Sequence, residues 1–140
     1  MAPSMDRIER LRHIPMFADL SEDSLGRIAA IMTEFEAPAG RVLIKQGEPG
    51  SGLLIVDAGT VVVERAGRRP IELGAGEFLG DLALLSPEGI HQARVRTTTP
   101  SVLLGMSRQD FDNLLRDEPR IAVAMLPTLA RRIIRADTDW

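Results

Sequence analysis

The chain has no cysteine and no tyrosine, and it has only one tryptophan, four phenylalanines and two histidines in 140 residues. The missing thiols exclude disulfides, thiolate metal sites and a cysteine nucleophile, and they suit a reducing cytoplasm. The scarcity of aromatic rings leaves few stacking platforms for single-stranded nucleic acid. There is no excess of positive charge: 17 Lys and Arg stand against 20 Asp and Glu, net −3, which gives no general attraction to a phosphate backbone. No run approaches the roughly 18 apolar residues that a membrane span needs, and no basic start with a long apolar core marks a signal peptide. Two histidines are too few for the two or three plus a glutamate that a cupin-type metal enzyme gathers. No Ser/His/Asp or Cys/His set can be assembled, so we expect no enzyme. There is no internal repeat, no low-complexity tract and no convincing linker.

The remaining composition is that of an ordinary globular protein, 44% apolar and 26% charged, and its length fits a single domain over residues 1–140. Residues 1–36 read as helical. Met5, Ile8 and Leu11 are spaced by three, and Pro15 ends that stripe. Ser21 has the character of an N-cap, followed by Glu22 and Asp23 where the helix dipole favours acids, with Leu25, Ile28, Ala29 and Met32 on the buried stripe.

Residues 37–106 change to a β pattern. A turn at 37–40 leads to Val42 and Ile44, which alternate with Leu43 and Lys45. The run Leu53 to Val56, the triplet Val61 to Val63 and a β-rich segment 97–104 follow. Closely spaced glycines separate these pieces, the signature of an antiparallel sandwich or barrel-like roll rather than a parallel α/β sheet.

Residues 107–140 return to helix. Ser107 and Asp110 have the spacing of a capping box, with Phe111, Leu114 and Leu115 inward. Pro119 suits the first turn of another helix. Ile121, Ala122, Met125, Leu126, Leu129, Ala130, Ile133 and Ile134 continue an apolar face, which Pro127 is expected to kink or split. Arg131, Arg132 and Arg135 complement the dipole at the end of that helix.

Several fragments resemble one family. Leu11-Arg12-His13-Ile14-Pro15-Met16-Phe17, Ala39-Gly40 through Gly50, Leu53 through Gly59, and Leu73-Gly74-Ala75-Gly76-Glu77-Phe78 lead up to Phe78-Leu79-Gly80-Asp81-Leu82-Ala83-Leu84-Leu85 and Ile90-His91-Gln92-Ala93-Arg94-Val95-Arg96. Their order and spacing resemble cyclic-nucleotide-binding domains of the catabolite-activator type. In that family the phosphate-binding cassette reads close to F-G-E-L-A-L, a loop, then P-R-x-A-T-V. The resemblance implies a mainly β fold: an antiparallel β-roll (a double-stranded β-helix, jelly-roll-like) with N-terminal helices, a short cassette helix within 78–96 and C-terminal helices. It implies a regulatory role as a sensor of cyclic AMP, cyclic GMP or a related small anion, with no cofactor. Output would pass through the C-terminal helix to an effector protein or a second copy. Relatives that read DNA carry a helix-turn-helix after the long helix. The sequence stops at Trp140, so we expect a stand-alone module without direct DNA binding.

The same resemblance places the ligand on Gly80, Asp81, Leu82, Ala83, His91, Gln92 and Ala93. The physical reason is plain for the first four. A helix N-terminus offers free amides and partial positive charge to an anion, glycine lets the backbone approach, and an acid accepts from a ribose hydroxyl. The acid here is Asp81 where the family has glutamate, so it either reaches the sugar or simply caps the helix. His91 stands where the family has the arginine that clamps phosphate. A histidine gives one directed N–H and a charge only about a quarter populated at neutral pH. It either meets the phosphate or is a half-buried residue in a roll kept only for protein interaction. Strand alternation points His91, Ala93 and Val95 inward and Gln92, Arg94 and Arg96 outward.

Overall fold

The computed structural model describes residues 5–50, 52–80, 85 and 89–137 of the chain. They fall into two compact units, the described residues up to Ile31 together with those from Asp112 onward, and the described residues within Met32–Phe111.

The first unit is helical. Helix α1 (Met5–Arg12) is followed by a 3-10 turn, Pro15–Phe17, and by α2 (Glu22–Ile31). The Ser21 hydroxyl accepts from the Ser24 amide at 3.1 Å, the N-cap expected from the sequence. Leu11, Phe17, Leu25, Ile28 and Ala29 are fully buried or nearly so. Helix α3 (Arg108–Asp117) begins in the second unit and ends in this one, and α4 (Pro119–Asp137) follows. Buried Ser24 donates to the Glu118 carboxylate, which Arg27 also reaches at 3.3 Å, so α2 is tied to the start of α4. Helix α4 is not split at Pro127, although that residue has no N–H for the Val123 carbonyl. Its apolar face is only partly covered. Ile121 and Met125 are buried, while Leu126, Ile133 and Ile134 are exposed, as is Val123. Met125 is therefore part of the chain's own core and is not offered to a partner.

The second unit is a roll of two four-stranded antiparallel sheets. The strands are β1 (Thr33–Ala37), β2 (Val42–Ile44), β3 (Gly52–Ala58), β4 (Val61–Glu64), β5 (Ile71–Leu73), β6 (Phe78–Leu79), β7 (Arg94–Thr97) and β8 (Ser101–Ser107). The sheet orders are β1-β8-β3-β6 and β2-β7-β4-β5. Alternate assignment of successive pairs to the two sheets is the jelly-roll connectivity. Ala37, Ile44, Val56, Val61, Leu73, Leu79, Val95 and Leu103 form one core cluster. Four of them are β-branched, which suits a pleated surface packed on both sides.

Three boundaries differ from the sequence expectation. Strand β1 begins at Thr33, inside the stretch read as helical. Its residues Thr33, Glu34, Phe35 and Glu36 are all exposed, because β1 is an edge strand paired only with β8, so it lacks the apolar alternation of a covered strand. The segment 97–104 is two strands in different sheets, with residues 98–100 making the corner. That corner interlocks with the other crossover at Gly59-Thr60: the Thr98 amide donates to the Thr60 carbonyl at 3.0 Å and the Thr60 amide donates to Thr99 Oγ1 at 3.0 Å. Gly59 has φ +95°, and a Cβ there would sit 2.7 Å from the Pro100 carbonyl oxygen, so only glycine fits this corner. Finally, a register shift between Val42 and Ile44 breaks the alternation in β2. Leu43 packs on the core cluster beside Ile44 instead of pointing away from it.

Candidate functional site

Strand β6 ends at Leu79 and is followed by Gly80, whose backbone has φ +85°. A Cβ at this position would lie 2.8 Å from the Gly52 carbonyl oxygen and 3.7 Å from Ile44 Cδ1. Both backbone conformation and close approach to β3 therefore require glycine here. The helix expected to open at Gly80, with Asp81, Leu82 and Ala83, lies outside the described residues.

From Gly89 the chain runs antiparallel to residues 47–50. The Gly50 amide donates to the Gly89 carbonyl at 2.7 Å, Pro49 bridges Ile90, the His91 amide donates to the Glu48 carbonyl at 2.9 Å, and the Gly47 amide donates to the His91 carbonyl at 2.9 Å. His91 is thus held by its main chain on both sides, against a turn that the Glu48 amide closes on the Lys45 carbonyl at 3.3 Å. Gln92 is exposed and its amide donates to the Ile90 carbonyl at 3.3 Å. Ala93 is half-buried in the bend before β7. Val95 is in the core cluster, whereas Arg94 and Arg96 both reach Glu64 Oε1, at 2.9 and 3.0 Å, on the outer side. The two guanidinium groups hold the Glu64 carboxyl below its ordinary range.

Between the sheets is an open cavity of about 480 Å³. Phe35, Ala37, Leu54 and Gly105 line it from the first sheet, and Val42, Leu43 and Ile44 from β2. Its polar lining is Arg41, Lys45, Glu48 and His91. The volume falls in the range usual for small-molecule sites, and the wall combines apolar side chains with a comparable share of polar surface. Gly105 lines the cavity without a side chain: a Cβ there would be 3.5 Å from Leu54 Cδ2 and 3.7 Å from Phe35 Cε1, which line it too. Phe35 and Val42 remain 36% and 38% exposed, which is a large residue exposure for cavity walls and leaves apolar surface to be covered.

The structure places His91 on the cavity wall, whereas Gly80 is not among the described residues that line the cavity. Gly80 abuts Gly52 and Ile44, both on the cavity wall. Gln92 and Ala93 are not among the described residues that line it. Partial burial pushes the His91 imidazole below its ordinary pKa, with the Glu48 carboxylate opposing that shift. The neutral ring is favoured near neutral pH, so it offers a hydrogen bond rather than a charge. Arg41, Lys45 and Glu48 are not among the residues singled out in the sequence. Their place on the cavity follows from non-local pairing, of Arg41 with Thr97 and of 47–50 with 89–91, which no local pattern announces. Among the described residues no cluster of His, Cys, Asp and Glu is suited to a metal ion. No described helix is long and apolar enough to cross a membrane.

Residues 34–118 match the sequence model of the cyclic nucleotide-binding domain. An NTE family protein of Mycobacterium tuberculosis is 31% identical over 124 residues, covering 88% of this chain and 21% of that protein. A cyclic nucleotide-gated potassium channel of Mesorhizobium japonicum is 35% identical over 119 residues, covering 85% of this chain and 33% of the channel. The crystal structure of the Thermus thermophilus catabolite activator protein superposes with a TM-score of 0.75 at 29% identity, over 89% of this chain and 61% of that one. The chain spans only a fifth to a third of the length of the first two relatives. The match covers both sheets and the helix that follows them, and this chain belongs to the cyclic nucleotide-binding domain family.

Proposed function

We propose that residues 1–140 are one regulatory module that binds a cyclic nucleotide, or a related small anion, in the cavity of the β-roll and signals through its C-terminal helix. The observation that carries this reading is the cavity of about 480 Å³, open rather than filled by the described side chains, with His91 on its wall and Gly80 packed against Gly52 and Ile44, which line it. Apolar Phe35, Val42, Leu43 and Leu54 suit the face of a base, and the polar end suits a phosphate and a sugar. Asp81, Leu82 and Ala83 belong to the same site in this reading, and Gln92 and Ala93 frame it from the approach to β7.

The module is a binding protein and not an enzyme, works in the cytoplasm, and takes its nucleotide as a signal rather than as a cofactor. Its output goes to an effector protein or a second copy. The other reading, a roll retained only for protein interaction, does not call for an open interior. Calorimetric titration with cyclic AMP, cyclic GMP and cyclic dinucleotides tests the proposal. Saturable binding of one of them is expected, and silence across the panel at millimolar ligand rejects it.

A further inference from the structure

The cavity contains two fixed positive charges that the family resemblance does not assign. Arg41 and Lys45 flank β2, both line the cavity, and both are exposed. Among the described residues neither has an acidic side chain within ion-pair distance. They cannot serve the same ligand atom. Four residues of extended strand separate them by about 13 Å, and Arg41 is pinned at the far end, its amide donating to Thr97 Oγ1 at 2.9 Å and its carbonyl accepting from the Thr97 amide at 2.9 Å. Lys45 is at the other end. It opens the turn whose Glu48 and Gly47 make the two main-chain hydrogen bonds to His91. The cation nearest in the chain's architecture to the residue expected to meet phosphate is therefore Lys45.

We propose that Lys45, and not His91, supplies the positive charge that holds the ligand's phosphate, with His91 adding one neutral hydrogen bond. The inference rests on the cyclic-nucleotide reading above. A lysine ammonium is charged at any physiological pH, and its four-carbon stem lets it follow the anion without a rigid fork. The buried side of His91 disfavours a second cation there, and Glu48 beside it would repel a phosphate unless a fixed charge offset it. Lys45 is in position to do both jobs, offsetting Glu48 and pairing with the anion.

The test compares the parent with Lys45→Gln, Lys45→Arg and His91→Gln in titrations of cyclic AMP and cyclic GMP at low and high salt. Lys45 is exposed, so Lys45→Gln is expected to fold as the parent does, which thermal unfolding checks. Loss of a charge-assisted bond predicts about tenfold or greater loss of affinity in Lys45→Gln, with a flatter salt dependence. Lys45→Arg should stay close to the parent. His91→Gln, which keeps a neutral donor, should lose no more than about threefold. Parental affinity in Lys45→Gln, or a larger loss in His91→Gln than in Lys45→Gln, overturns this inference alone. Failure of the parent to bind either nucleotide overturns the sensor reading and this inference together.

Discussion

The amide of His91 donates to the carbonyl of Glu48 at 2.9 Å, and the carboxylate of the same Glu48 is the charge that opposes the effect of burial on the His91 ring. One residue thus positions the histidine through its backbone and tunes it through its side chain. Burial wins, and the ring's pKa is lowered in the folded state. Between the folded and unfolded values the unfolded chain holds the extra proton, so stability rises with pH in that window. The contribution of His91 is fully present above about 6.5, its unfolded value, and is lost as pH falls through the folded one. His91→Gln should therefore reduce the loss of stability on acidification from neutral pH. Urea midpoints measured across that range for parent and variant check the sign.

Glu64 predicts a second, lower window. Its carboxyl is held down by Arg96 and Arg94, so its contribution is present above the ordinary carboxylate pKa and is lost as pH falls through the depressed folded value. The cluster is solvent-exposed, and Glu64→Gln should lower the melting temperature only slightly at neutral pH. The difference between variant and parent should vanish in acid, which melting curves at both pH values would show.

Gly59 and Gly105 separate the fold from the site. At Gly59 a methyl group would meet the Pro100 carbonyl oxygen at 2.7 Å on a backbone with φ +95°. Gly59→Ala should cost about 3 kcal/mol in urea unfolding, through backbone strain and overpacking. Gly105 has no positive φ, and its nearest neighbours would be at ordinary contact distance. Gly105→Ala should change stability by less than about 1 kcal/mol, while Gly105→Leu adds a large side chain to the cavity lining and should abolish nucleotide binding without unfolding the roll.

The core has its own test. Leu103 is fully buried at the centre of the cluster between the sheets. Leu103→Ala should cost about 2–5 kcal/mol, as cavity-forming substitutions do. Equilibrium unfolding in urea reads this directly.

Much of the architecture was legible in the residues because its causes are local. Ser21 caps α2, Ser107 accepts from the Asp110 amide at 3.1 Å to cap α3, Pro119 opens α4, and the valine and leucine runs are strands. Strand β1 was not legible, since an edge strand with Glu34 and Glu36 facing water has no buried alternation to read. The corner at 98–100 was hidden for a similar reason: threonines favour strands, and only their pairing with Gly59-Thr60 makes them a crossover. Of the two outcomes expected at Pro127, a split of α4 does not occur. At the site, alternation placed His91 on the inner side and Arg94 and Arg96 on the outer side, as they are found. Lys45 and Glu48 stayed invisible because they reach the cavity through a ladder closed over some forty residues of chain.

The claim that a cyclic nucleotide occupies the space between the sheets is tested most directly by mapping backbone amide chemical shifts during titration with cyclic AMP and cyclic GMP. The account predicts saturable shifts concentrated at Lys45, Gly52, Leu54, His91 and Gly105, with matching titration curves. Saturable shifts that leave these amides unmoved and gather on another surface of the chain would contradict it.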